Sequence, residues 1–172
     1  MNKRTVLLLA AVAAIVSWAA FSAACADDKD DGTGAKPTAT TASVGTPLAG
    51  TEVNVNLTEY TISPDVDTVP AGAVTFSAKN IGGTDHELLI LKTDLAEGEL
   101  PTNDDGSVDE AATGVEAIDR IAAFASQGDE SLTIDFDAGN YVLICNIVQE
   151  TAAGDVVSHY AQGMHTTFVV TE

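Results

Sequence analysis

From residue 51 to its end the chain alternates apolar and polar side chains over stretches too short for a helix. Residues 51–60 read TEVNVNLTEY, residues 73–79 AVTFSAK and residues 130–136 ESLTIDF. A period of two puts one face of a strand against a core and the other in solvent; a helix would repeat its apolar positions every three and four residues. Turn signals part these stretches: Val69-Pro70-Ala71-Gly72, Asn80 followed by Gly82-Gly83, and Asp137-Ala138-Gly139-Asn140. Residues 86–92, HELLILK, are more apolar and suit an inner strand, residues 141–145 form another strand, and residues 165–171 the last. About seven short strands with no convincing long amphipathic helix predict an all-β chain, an antiparallel Greek-key β-sandwich. Residues 93–115 break the pattern. They are acidic, carry Pro101 and Asn103-Asp104-Asp105-Gly106, and read as a long surface excursion. The 93–125 region has room for a short helix, with a helical turn expected around 108–112. Residues 118–124 fit an edge strand or a turn of helix equally. There are no internal repeats.

The organisation before residue 51 differs. Residues 1–24 have a basic start (Lys3, Arg4), an apolar run over 6–16 and the small residues Ser22-Ala23-Ala24, the layout of a signal peptide. Cys25 follows at once, and this junction resembles a bacterial lipoprotein signal, although Ser22 stands where such signals favour Leu. The resemblance implies a lipidated Cys25, and more than one acyl chain is what stable membrane anchoring requires. The rest of the 25–50 segment is mostly Asp, Gly, Thr, Ala and Pro, with little apolar content and no aromatic residue. It is expected to be a disordered tether holding the domain on the order of 25–30 Å from its anchor. Residues 51–172 are then one domain, exported and held at the extracytoplasmic face of a membrane.

The formal charge is −19, and all 26 Asp and Glu residues lie after residue 24. Such a surface repels nucleic acid and anionic lipid headgroups and would steer toward basic partners. Solubility or a salty medium explains it equally well. A monomer is expected.

Cysteine use narrows the function. With Cys25 given to lipid, Cys145 is the remaining thiol, so no intrachain disulfide can form, and a free thiol in an oxidising compartment is a liability unless buried or metal-bound. His159 and Met164 follow it, and His86 stands at the head of an apolar strand. One thiolate, two imidazoles and a weak axial thioether form the donor set of a mononuclear blue-copper site, suited to Cu(I) and Cu(II) alike. Each residue also has a plain reading: His86 as a strand cap, Cys145 as a small buried hydrophobe, Met164 as core filler. His165 neighbours Met164 and faces the opposite way on a strand. It is the substitute ligand if the pattern slips by one.

These residues resemble the cupredoxins, especially small bacterial proteins related to plastocyanin and azurin. Three pieces carry the resemblance over roughly residues 53–171: Val69-Pro-Ala-Gly72 with Val74-Thr-Phe76, Asn80-Ile-Gly82 and His86; Ala138-Gly-Asn-Tyr141 leading to Cys145; and His159-Tyr-Ala-Gln-Gly-Met164. The resemblance implies one copper ion held by His86, Cys145, His159 and Met164, and electron transfer with redox partner proteins. The chain departs from the family between Cys145 and His159, where thirteen residues, 146–158, replace a connection of only a few. Loop-closure entropy grows as 1.5RT ln n, so that extension costs about 1 kcal/mol, small beside a metal-binding energy of roughly 10 kcal/mol.

The expected function is a copper electron carrier. A copper-delivery protein and a recognition module without tight copper binding are the alternatives. Catalysis is not expected: no second cluster of His pairs exists to form an oxidase centre, and a binuclear copper site would need two thiolates where Cys145 is one.

Overall fold

The computed structural model describes residues 50–172. The expected signal peptide (1–24), Cys25 and all but the last residue of the 25–50 tether lie outside the described residues. Among the described residues no helix is long and apolar enough to cross a membrane.

Among the described residues, eleven strands form two facing sheets and a hairpin. The first sheet contains β1 (Thr51–Thr58), β2 (Thr61–Pro64), β4 (Gly72–Asn80) and β7 (Asp129–Phe136), in the order β2-β1-β4-β7. The second contains β3 (Thr68–Pro70), β5 (His86–Lys92), β6 (Glu116–Phe124), β8 (Gly139–Ile144) and β11 (His165–Thr171), in the order β3-β11-β8-β5-β6. A separate hairpin pairs β9 (Val148–Glu150) with β10 (Val156–Ser158).

The alternation in β1 and β4 does what the sequence predicts. Val53, Val55 and Leu57 face inward from β1, and Val74, Phe76 and Ala78 from β4, while their neighbours stay more exposed. They meet Leu88, Ile90, Tyr141, Leu143, Phe168 and Val170 of the second sheet in one apolar cluster. Three aromatic contacts stiffen it: Phe76 with Phe168 at 5.3 Å, Phe76 with Phe136 at 6.0 Å, and Phe136 with Tyr141 at 4.9 Å between centroids. Full burial of each such ring is worth roughly 1.5–3 kcal/mol.

The sandwich is not antiparallel throughout. β1 pairs with β4, and β11 with β3, in parallel. Parallel neighbours need a crossover, and the chain makes one by leaving the first sheet after β2, lending β3 to the edge of the second, and returning as β4. β2 and β3 are too short for an alternating signal to stand out in the sequence.

Residues 93–115 form no helix. They are a series of turns with one isolated bridge, Thr102 to Val108. Their apolar residues are spent on a second core instead: Leu100 and Val108, with Tyr160, cover Leu89, Leu91, Val142 and Ile144 on the outer face of the second sheet. This is why β5 is buried on both faces from His86 to Leu91. Residues 116–124 resolve as the edge strand β6, which is mostly exposed and pairs with β5. The one helical element among the described residues is a 3₁₀ turn at Tyr160–Gln162.

Candidate metal centre

Three loops at one end of the sandwich deliver the candidate ligands. The first carries His86 into β5. Asn80, fully buried at the end of β4, donates from Nδ2 to the carbonyls of Thr84 (2.8 Å) and Phe124 (3.0 Å), and its Oδ1 accepts the Gly82 N–H at 3.0 Å. The connection from β4 to β5 is therefore shaped by one side chain before His86 is reached.

The second and third loops lie on either side of the β9–β10 hairpin. The Cys145 N–H donates to the Met164 carbonyl at 3.0 Å, and the Met164 N–H to the His159 carbonyl at 3.0 Å. The His159 N–H donates to the Ile147 carbonyl at 2.9 Å. Gly163, at φ +99°, ends the 3₁₀ turn in the left-handed region, its N–H on the Tyr160 carbonyl at 2.8 Å. Residues 146–158 are thus largely a closed hairpin.

The excursion holds this end together. The Asn146 side chain accepts the Val108 N–H at 2.6 Å and donates to the Val108 carbonyl at 3.1 Å. Tyr160 Oη accepts the Leu100 N–H at 3.0 Å and donates to the Glu97 carbonyl at 2.9 Å, and Ser158 Oγ donates to the Gly106 carbonyl at 2.7 Å.

Within this frame His86, Cys145 and His159 converge, with all three donor atoms within 4.8 Å of one another. Cys145 Sγ lies 3.3 Å from His159 Nδ1 and 4.0 Å from His86 Nδ1, and the two Nδ1 atoms are 3.3 Å apart. All three residues are fully buried, as is Met164, which packs in the same apolar cluster as Cys145. The Glu87 N–H points at Cys145 Sγ from 3.5 Å. His165 lies elsewhere: its ring packs on Tyr160 at 5.1 Å and its Nδ1 is 3.7 Å from Glu97 Oε1. The alternation of β11 sends it away from Cys145.

Electrostatics leaves the cluster neutral without a metal. Burial pushes the Cys145 thiol up to about 11. Burial also lowers the pKa of His86, against the pull of Glu59, and that of His159, helped by His86. Two neutral imidazoles with both Nδ1 atoms turned toward one sulfur bring acceptor lone pairs together with few protons to share. One thiol and two imidazoles converging in a buried pocket fit a type 1 copper ion, which would bind the sulfur as thiolate.

The outer edges of the rings are held by residues that the sequence did not single out. His159 Nε2 sits 2.6 Å from the Gln149 side-chain amide, supplied by β9, and Tyr60 meets the ring edge-on at 5.2 Å. His86 Nε2 lies 3.4 Å from Glu59 Oε1. That carboxyl is brought down to about 2, chiefly by its own backbone N–H and, against some burial, by those of Thr84 and Gly83. Behind Cys145, Glu87 Oε1 accepts the Asn146 N–H at 3.0 Å and its Oε2 lies 3.7 Å from Arg120 Nη1; burial raises its pKa. Arg120 also pairs with Glu110. Only the position of Asn146, next to Cys145, could have flagged any of these from sequence.

No family model and no curated protein matches the chain. Among solved structures it is similar to auracyanin B, at 19% identity and TM-score 0.49, covering 71% of this chain and 89% of that one. It is similar also to the Na-dithionite-reduced auracyanin of Roseiflexus castenholzii, at 23% identity and TM-score 0.47, covering 72% and 99%. Rusticyanin from Thiobacillus ferrooxidans matches at 17% identity and TM-score 0.45, covering 72% and 79%.

Proposed function

We propose that this protein is a one-electron carrier in which His86, Cys145 and His159 would hold a single copper ion, with the Met164 thioether as a weaker donor. The observation that carries the reading is the convergence of one sulfur and two Nδ1 atoms, all fully buried. Copper, when bound, supplies the Cu(I)/Cu(II) couple. The residues supply a fixed arrangement. His86 is set by the Asn80-ordered loop, and Cys145, His159 and Met164 are tied to one another by backbone hydrogen bonds. A frame that does not rearrange between oxidation states keeps the reorganisation accompanying electron exchange small.

Burial separates this reading from copper delivery. A delivery site must present its donors to a receiving protein, yet the β9–β10 hairpin covers His159 with Gln149, and His86 is fully enclosed. The same enclosure leaves no open donor position for a substrate, which supports a carrier over an enzyme. We further propose that Cys25 is lipidated and tethers the domain to the extracytoplasmic face of a membrane, where its acidic surface favours basic redox partners. The signal-like run over residues 1–24 supports this part of the reading.

Copper titration of the protein, wild type against Cys145→Ser, tests the function. The wild type should take up one equivalent of Cu(II) and develop an intense visible thiolate-to-copper band, which the variant should lack. Failure of the wild type to bind copper would remove the reading, and colourless binding that favours Cu(I) would turn it toward delivery.

A further inference from the structure

The copper reading uses the inner nitrogen of His86 and leaves the outer one without a task. His86 Nε2 is buried and makes no hydrogen bond of good geometry, and what it faces, at 3.4 Å, is Glu59 Oε1. Glu59 follows directly on β1 and is not a casual neighbour. Its Oε1 accepts the N–H groups of Gly83 (2.7 Å) and Thr84 (2.8 Å) and the Thr84 hydroxyl (3.0 Å), so the loop that delivers His86 also grips the carboxylate. Among the described residues it has no Lys or Arg within ion-pair reach. The approach depends on a glycine: a Cβ on Gly82 would fall 2.8 Å from His86 Nε2 and 2.9 Å from each Glu59 oxygen.

We propose that Glu59 is a positioning residue for the copper centre, accepting the Nε2 proton of His86, holding Nδ1 toward Cys145, and placing a fixed negative charge behind the imidazole. A carboxylate behind a metal-bound imidazole fixes its tautomer and increases its basicity. The added negative charge favours the more positive, oxidised state of the site, so Glu59 lowers its reduction potential. This inference rests on the copper reading above.

Two substitutions and one measurement on the metal-free protein test it. Glu59→Gln keeps the shape and an acceptor oxygen but removes the charge. In copper-loaded protein it should shift the equilibrium with a one-electron reference couple toward the reduced state by threefold or more, a tenfold shift being 59 mV. Gly82→Ala, which forces carboxylate and ring apart, should shift it the same way. In metal-free wild type, ¹⁵N NMR should find the His86 proton on Nε2, a preference that Glu59→Gln weakens. A shift below threefold in Glu59→Gln, or a metal-free His86 protonated on Nδ1, would overturn the role of Glu59. A wild type that turns blue beside a variant with unchanged potential places the failure on Glu59 alone. A wild type that takes up no copper removes the copper reading and this inference with it.

Discussion

His159 and Ile147 are joined by a backbone hydrogen bond, His159 N–H to the Ile147 carbonyl at 2.9 Å, across the whole β9–β10 hairpin. The bond closes the base of the insertion. His159 is therefore placed by a residue two positions after Cys145, as if the connection were short, and the ladder above (Val148 with Ser158, Gln149 with Val157, Glu150 with Val156) takes up the extra chain. Hairpin pairing orders this segment, where a loose thirteen-residue loop would carry an entropic cost of about 1 kcal/mol.

If the base is what matters, the tip should be expendable. Replacing residues 151–155 by Asn-Gly, a two-residue hairpin turn, should change stability by no more than about 1 kcal/mol. The visible band of the copper-loaded protein should be retained. Loss of the band would mean that the tip itself shapes the centre.

Gln149 should behave differently. Gln149→Ala strips the buried His159 Nε2 of its 2.6 Å partner, and a buried polar group left unpaired costs about 1–3 kcal/mol. The urea midpoint of the metal-free protein measures this, and an unchanged midpoint would show that the contact contributes nothing.

Asn80 organises the loop before His86 through three side-chain hydrogen bonds. Asn80→Ala should destabilise the metal-free protein by about 3 kcal/mol, since several buried backbone groups lose partners together. It should also weaken copper binding, read by competition with a chelator. Weakened stability with copper affinity intact would separate the loop's folding role from ligand delivery.

Met164 is both core residue and candidate axial donor. Met164→Leu conserves volume and should cost less than about 1.5 kcal/mol, yet it removes the thioether that, as a ligand, would adjust the potential. A Leu variant with unchanged potential and unchanged spectrum would make Met164 a packing residue only.

Acid should destabilise the metal-free protein. His86 and His159 have folded pKa values below their ordinary 6.5, so the unfolded chain binds more protons and stability falls as pH drops through and below that value. Glu87, whose pKa burial raises, acts in the opposite sense, one group against two imidazoles. Urea midpoints taken from about pH 7.5 to about pH 5.5 should therefore decline; a flat or rising profile would contradict neutral burial of the two imidazoles.

Much of this protein was legible along the chain, and the reason is periodicity. The alternation in β1, β4 and β7 admits one buried face, and the turn residues between strands mark where pairing ends, so the sandwich and its main strands follow from local pattern. Residue types and their order named His86, Cys145, His159 and Met164, because a lone thiol beside two imidazoles has few other uses. Tertiary structure decided the rest, wherever a residue's partner lies far off in sequence. Residues 118–124 became a strand only because β5 offered an edge. Val108 and Leu100, single apolar residues in an acidic stretch, found the outer face of the second sheet rather than a helical stripe. Glu59 reached His86 only because Gly82 leaves room for it. The long Cys145–His159 connection became a lid only because Ile147 and His159 pair. Local pattern specifies which face of an element is buried; which remote group then touches it depends on the packing of the whole chain.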